Sequence, residues 1–173
     1  SVGWGQNHFD AGYGEHGGKM QTDYDDGVKY LIDQGLVDPN RVAFFGWSYG
    51  GYAALVSLSH EPQMFQCAIA GAAVADPEKQ YMGRRNTDLK ALDEWDKRRG
   101  TIGINPMKEV SKVSIPLLMI HGNVDRRVMY YHMKDYQKAF EAVGKTGEFI
   151  TLEGADHFYY TLMYTHQQQL STK

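Results

Sequence analysis

The sequence predicts an α/β fold in which helices cover both faces of a parallel sheet. Short apolar runs bounded by turn residues alternate along the chain with segments whose apolar residues recur at helical spacing. Runs that are apolar throughout are typical of parallel strands buried on both faces. With 173 residues, the chain is long enough for one domain with a substantial core.

The N-terminal region predicts a loop followed by a helix. Glycines are frequent in the first twenty residues, and no apolar period is visible there. Tyr24 and Val28 then begin a run at helical spacing, with Thr22 and Asp25 placed like a capping box. Gly35 is expected to end this helix.

Four strands and four further helices are predicted after residue 40. The strands are Val42–Phe45, Cys67–Ala70, Leu117–Ile120 and Glu148–Leu152. The helices are Tyr49–His60, Asp76–Arg99, a segment through Met133, Tyr136 and Phe140 that stops at Gly144, and Phe158–Leu170.

Composition excludes several classes of function. A net charge of −3 argues against nucleic acid as a partner, because nucleic-acid binders normally carry a basic face. No apolar run reaches the roughly 18 residues of a membrane span, so no membrane is expected as a partner. The histidines lack metal-ligand spacing, and Cys67 is the single cysteine, so we expect neither metal nor cofactor nor internal disulfide. We expect a cytoplasmic protein, with periplasmic or secreted locations as alternatives.

A Gly-Trp-Ser-Tyr-Gly-Gly segment at residues 46–51 joins the first predicted strand after residue 40 to the following helix. It fits the nucleophile elbow Gly-x-Ser-x-Gly, a sharp turn that projects the serine hydroxyl above the sheet. Side chains at Gly46 and Gly50 are expected to crowd this turn. The segment predicts Ser48 as a nucleophile and the backbone N–H of Tyr49 as an oxyanion donor. The alternative is a glycine-rich turn without catalysis.

Two further polar residues follow predicted strands at the same edge of the sheet. Asp125 comes after the third strand and His157 after the fourth. Functional groups of open α/β sheets gather beyond the carboxyl ends of the strands, and the order Ser, Asp, His is that of α/β-hydrolases. We therefore predict His157 as general base and Asp125 as the acid that orients it. Taken singly, Asp125 is more typical of a turn residue and His157 of a loop or capping histidine.

Over nearly its whole length the sequence resembles the prolyl oligopeptidase family of serine peptidases, especially its acylaminoacyl-peptidase-like and dipeptidyl-peptidase-like members. The resemblance rests on residues 11–15, 23, 26–28, 38–42, 46–52, 116–122, 125–128 and 154–158. It implies an α/β-hydrolase fold and cleavage of peptide or acyl-ester substrates through an acyl-enzyme, with no cofactor. It implies the same roles for Ser48, Asp125 and His157.

The resemblance also assigns Arg127, two positions after the acid, as a contact to a substrate carbonyl. The alternative is a surface arginine that fixes the loop.

The resemblance further implies that residues 1–173 form part of a catalytic domain, truncated at its N-terminal strands. Family domains begin with strands that bring a second oxyanion donor. With one donor, the chain is expected to cleave activated esters better than amides. Without those strands, Val42–Phe45 becomes an exposed apolar edge, which favours a homo-oligomer or a complementing chain that covers it.

Two other functions stay open from the sequence. One is a non-catalytic assembly or interaction module. In such a module the sequence motifs would be inherited but inactive, and the exposed edge of the strand Val42–Phe45 would pair with a partner. The other is a carboxylesterase without peptidase activity.

Overall fold

Four parallel strands form the sheet in the computed structural model, which describes residues 3–80 and 103–158. The strands lie in sequence order, β1-β2-β3-β4, and each pairs in parallel with the next. Their bounds are β1 Ala43–Trp47, β2 Cys67–Gly71, β3 Leu117–Gly122 and β4 Glu148–Leu152. The parallel sheet with helices confirms the predicted fold class, and all four predicted strands are present. Because the strands run in parallel, their carboxyl ends meet at one edge of the sheet.

Five helices are described in full. They are α1 Gln6–Ala11, α2 Lys19–Asp33, α3 Tyr49–Ser57, α4 Pro106–Glu109 and α5 Tyr131–Ala142. A 3₁₀ turn, Val110–Lys112, continues α4, and residues 77–80 are helical. Residues 81–99 of the predicted helix Asp76–Arg99, and all but the first residue of Phe158–Leu170, lie outside the described residues. Within the described ranges no helix is long and apolar enough to cross a membrane.

Two expectations for the N-terminal region are wrong. The first twenty residues are not all loop, since α1 forms there; none of its residues is buried, so it leaves no apolar period in the sequence. The helix α2 begins at Lys19 with Gly18 at its N-cap, one turn before the expected capping box. Glu15 takes the capping role, because its Oε2 accepts from the Lys19 N–H at 3.0 Å.

The end of α2 follows the expectation. Gly35 adopts a φ of +70° there, and Leu36 N donates to the Leu31 carbonyl.

The main core lies between one face of the sheet and helices α2, α3 and α5. Helix α3 is buried along almost its whole length, which explains why its sequence is apolar on all sides. Leu55, Met119, Tyr136 and Phe140 are among the large side chains buried in this core. Burial of this kind contributes roughly 1.5–3 kcal/mol for each large apolar side chain.

The opposite face of the sheet is also apolar. It carries Ile69, Leu118, Ile120 and Ile150. At its margin, Phe45 on β1 is 67% exposed, and among the described residues β1 pairs only with β2. The predicted exposed apolar edge is therefore present in the part of the chain that the structure describes.

Candidate active site

Ser48 occupies the sharp turn between β1 and α3. Its φ is +58°, in the left-handed region that non-glycine residues rarely adopt, so the turn stores backbone strain. A Cβ on Gly46 would lie 2.1 Å from the Gly50 carbonyl oxygen, so position 46 admits only glycine. The Ser48 N–H donates to the Gly71 carbonyl at 2.9 Å, which fixes the turn to β2.

The expectation that a side chain at Gly50 would crowd the turn is wrong. A Cβ on Gly50 meets nothing within 4 Å, whereas one on Gly51 would lie 2.5 Å from the Gly71 carbonyl oxygen. The difference arises because the Gly51 position faces the backbone of β2, whereas the Gly50 position faces open space.

The structure brings together the three side chains that the sequence predicts. His157 Nε2 lies 2.9 Å from Ser48 Oγ, and His157 Nδ1 lies 2.7 Å from Asp125 Oδ2. Asp125 and His157 are 3% and 5% exposed, so this hydrogen-bonded chain is largely shielded from water. A carboxylate can only accept, so Nδ1 carries the proton of a neutral imidazole. The lone pair on Nε2 then faces the Ser48 hydroxyl, which donates to it.

Asp125 is held as a carboxylate by a set of donors. Oδ1 accepts from the backbone N–H groups of Arg127 and Val128 at 2.8 and 2.9 Å. Burial alone would raise the pKa of Asp125, but hydrogen bonds from His121, His157 and these two N–H groups outweigh it and lower the pKa to about 2. Asp125 therefore carries its negative charge at neutral pH.

His121 supports the acid loop from the end of β3. Its side chain is completely buried, and Nε2 lies 2.8 Å from the Val128 carbonyl oxygen and 3.5 Å from Asp125 Oδ2. Because a carbonyl only accepts, Nε2 carries the proton and donates. Nδ1 has no hydrogen-bond partner among the described residues. The sequence predicted no role for this histidine, although a polar residue at the end of a buried strand is a signal that could have found it.

The loop that carries His157 is fastened to its surroundings on two sides. On one side, Val124 N donates to the Ala155 carbonyl, and the Asn123 side chain accepts from Gly154 N at 2.8 Å. On the other side, Trp47 Nε1 donates to the carbonyl oxygen of His157 at 3.0 Å. Sequence analysis also missed this contact, which joins residues 110 positions apart in the chain.

Tyr49 and Arg127 also lie at this edge of the sheet. Tyr49 is the first residue of α3, where a backbone N–H has no acceptor within its own helix. The Arg127 guanidinium lies over the ring of Phe158, 5.2 Å from its centroid, beside His157. Gln80 Nε2 donates to the Arg127 carbonyl at 2.8 Å, so the Arg127 backbone is fixed on both sides of its Cα. The oxyanion role of Tyr49 and the substrate contact of Arg127 stay predictions.

No group of three or more His, Cys, Asp or Glu side chains is arranged to hold a metal ion in residues 3–80 and 103–158. Cys67 is a free, half-buried thiol on β2.

Comparison with known proteins gives one family. The model of the prolyl oligopeptidase family matches residues 1–172. Dipeptidyl aminopeptidase BIII of Pseudoxanthomonas mexicana is 31% identical over 159 residues, which cover 82% of this chain and 22% of that protein. Inactive dipeptidyl peptidase 10 of Mus musculus is 27% identical over 149 residues, covering 79% of this chain and 18% of that protein. The chain thus spans about a fifth of the length of the curated relatives it matches.

A solved structure with the same fold is the acylaminoacyl peptidase of Pyrococcus horikoshii. It superposes with a TM-score of 0.78 at 19% identity, covering 96% of this chain and 28% of that one.

Proposed function

Since the chain belongs to the prolyl oligopeptidase family, we propose that it is a serine hydrolase that cleaves peptide or acyl-ester bonds through an acyl-enzyme on Ser48. One observation carries the proposal: Ser48, His157 and Asp125 form a continuous hydrogen-bonded chain with distances of 2.9 and 2.7 Å. Each residue follows a different strand, so three independent parts of the chain converge on one point.

In the first half of the proposed reaction, Ser48 Oγ bonds to the substrate carbonyl carbon while its proton passes to His157 Nε2. The negative charge that develops on the carbonyl oxygen accepts from the Tyr49 N–H at the start of α3. His157 is then an imidazolium, and the Asp125 carboxylate stabilises it through Nδ1–H. His157 returns the proton to the departing amine or alcohol, which leaves an acyl group on Ser48.

In the second half, water replaces the leaving group. His157 Nε2 takes a proton from the water as its oxygen bonds to the acyl carbon, and the proton then returns to Ser48 Oγ. The carboxylic acid departs and the site is restored. No cofactor enters this sequence of steps, because Ser48, His157 and water account for every proton and bond.

Labelling with a fluorophosphonate tests the proposal, because this reagent phosphonylates a serine only when a base activates it. We expect a single adduct on Ser48, located by mass spectrometry, that disappears in Ser48→Ala. The matched control is Ser59→Ala. Ser59 follows α3, its hydroxyl donates to the Val56 carbonyl, and it lies outside the proposed site. Absence of labelling in a folded wild-type chain would contradict the proposal.

The substrate class rests on the relatives whose names state an activity, a dipeptidyl aminopeptidase and an acylaminoacyl peptidase. We propose peptides as the substrates, with the Arg127 guanidinium as donor to a substrate carbonyl. A panel of dipeptide amides, acylated amino-acid amides and simple esters, each with Arg127→Ala alongside, tests this. Hydrolysis of esters alone would identify a carboxylesterase instead.

A second candidate function is favoured by the exposed edge of β1. Phe45 is 67% exposed there, and a bare apolar edge favours pairing with another strand. One relative, inactive dipeptidyl peptidase 10, carries the word inactive in its name. We propose self-association through β1 as the function if labelling fails. Phe45→Lys should then convert an oligomer to monomer by light scattering, whereas Leu36→Lys, at an equally exposed apolar residue, should not.

A further inference from the structure

Trp47 joins the nucleophile turn to the loop of the general base. It directly precedes Ser48 at the end of β1, and its indole N–H donates to the His157 carbonyl at 3.0 Å. The same residue is thus covalently linked to the nucleophile and hydrogen-bonded to the main chain of the base.

The indole itself is held in a fixed place. Its six-membered ring lies directly over Gly71 on β2, where a Cβ would come within 1.8 Å of Cε3 and 2.1 Å of Cζ3. Gly71 also accepts the Ser48 N–H through its carbonyl oxygen. The nucleophile and the indole are therefore both anchored on Gly71.

The contact complements the bonds on the other side of the His157 loop. Val124 N and the Asn123 side chain tie that loop to the loop of Asp125. These bonds set the distance between base and acid, but they do not link the base to the nucleophile. Trp47 directly precedes the nucleophile, so the hydrogen bond from its N–H to the His157 carbonyl constrains the distance between His157 Nε2 and Ser48 Oγ.

We propose that Trp47 is a positioning residue of the hydrolase, whose indole N–H holds the His157 main chain at the place from which Nε2 reaches Ser48 Oγ. This inference rests on the proposed function. Misplacement of a reacting group by about 1 Å costs on the order of 10²-fold in rate. Loss of the single indole donor should therefore lower kcat by about 10- to 100-fold and leave KM within about twofold.

Two changes test the proposal. Trp47→Phe removes the donor and part of the ring. Site-specific replacement of Trp47 by benzothienylalanine keeps the shape of the indole and exchanges the N–H for sulfur, so the packing on Gly71 is retained. The matched control is Trp4→Phe, because Trp4 is 80% exposed and its ring contacts His8, which has no part in the proposed reaction.

The measurements are kcat and KM on an activated ester, the rate constant of Ser48 phosphonylation and the melting temperature. We expect the benzothienylalanine variant to melt with the wild type but to lose kcat and phosphonylation rate in parallel, while Trp4→Phe loses neither. If the variant folds and retains wild-type kcat, Trp47 serves packing alone and the proposal is wrong. If the wild type itself is never phosphonylated, the proposed function fails instead, which distinguishes the two failures.

Discussion

Replacing Asp125 by Asn separates the two tasks of this side chain, because the amide has one acceptor oxygen where the carboxylate has two. Oδ1 of Asp125 accepts from the Arg127 and Val128 backbone N–H groups, and Oδ2 accepts from His157 Nδ1. The backbone donors cannot turn away, so the Asn oxygen should face them and its NH₂ should face His157. His157 must then accept at Nδ1 and carry its proton at Nε2. In that tautomer Nε2 can no longer take the Ser48 proton.

The expected loss in kcat for Asp125→Asn is about 10⁴-fold, the size seen for the corresponding change in a serine peptidase of another fold. This corresponds to about 5.5 kcal/mol in the activation barrier. The replacement is nearly isosteric, and the backbone donors keep an acceptor. We therefore expect the fold to persist, as circular dichroism and thermal melting can check.

The assay is steady-state hydrolysis of an activated ester together with the rate of fluorophosphonate labelling. Asp38→Asn is the matched control, because Asp38 likewise accepts a backbone N–H two residues on and a side-chain donor, but in an exposed turn. A folded Asp125→Asn variant that keeps activity within tenfold of the wild type would refute the tautomer argument.

Three further predictions concern stability. The pKa of Asp125 is lowered to about 2, against 3.8 for the unperturbed group, so the unfolded chain binds a proton first as pH falls. The buried carboxylate therefore stabilises the fold by on the order of 2 kcal/mol above about pH 4, and this stabilisation is lost towards pH 2. In urea unfolding, the difference in free energy of unfolding between the wild type and Asp125→Asn should therefore shrink as the pH falls. Gly71→Ala should lower both the melting temperature and kcat, since the new Cβ would lie 1.8 Å from the Trp47 ring. Gly27→Ala on α2 is the control: its Cβ meets nothing within 4 Å, and it should raise the free energy of unfolding by about 0.5–1 kcal/mol. Tyr136→Phe should leave the free energy of unfolding equal or higher by about 1 kcal/mol in denaturant titrations, because its buried hydroxyl has no partner among the described residues.

The parallel sheet can be predicted from the sequence, and the meeting of Ser48, Asp125 and His157 at one edge of it then follows. Strands buried on both faces leave continuous apolar runs, and parallel strands place their carboxyl ends at one edge. A polar residue that follows such a run, such as Asp125 or His157, can therefore be placed near Ser48 without knowledge of the tertiary structure. The bounds of β4 match the prediction, whereas those of the other three strands differ by one or two residues, because backbone pairing continues beyond the apolar runs, as at Gly71 and Gly122.

Elements without an apolar signal were harder to predict. Helix α1 buries none of its residues, so only the structure reveals it. The start of α2 was placed one turn late, because its first turn is capped by Glu15, a residue outside the helix, and not by a pair within it. Apolar periodicity therefore indicates buried helices well, but it does not show a cap supplied by a residue that precedes the helix.

The position of His121 after a buried strand marks it as a candidate, but the hydrogen-bond partners of His121 and Trp47 could not be predicted from the sequence. His121 bonds to Val128 across a loop whose path is fixed by the Asp125 side chain. Trp47 bonds to a carbonyl 110 residues away, and a backbone acceptor has no sequence signature. Both contacts depend on loop geometry that becomes defined only once the strands have paired.

Trapping of the acyl-enzyme shows directly whether Ser48 is the nucleophile. The chain is mixed with an activated acyl ester, quenched in acid within the first turnover and digested for mass spectrometry. We expect one peptide, containing Ser48, that is heavier by the acyl group; the corresponding peptide of Ser48→Ala should be unmodified. Ester hydrolysis without that adduct, or with the acyl group on another residue, would contradict nucleophilic catalysis by Ser48.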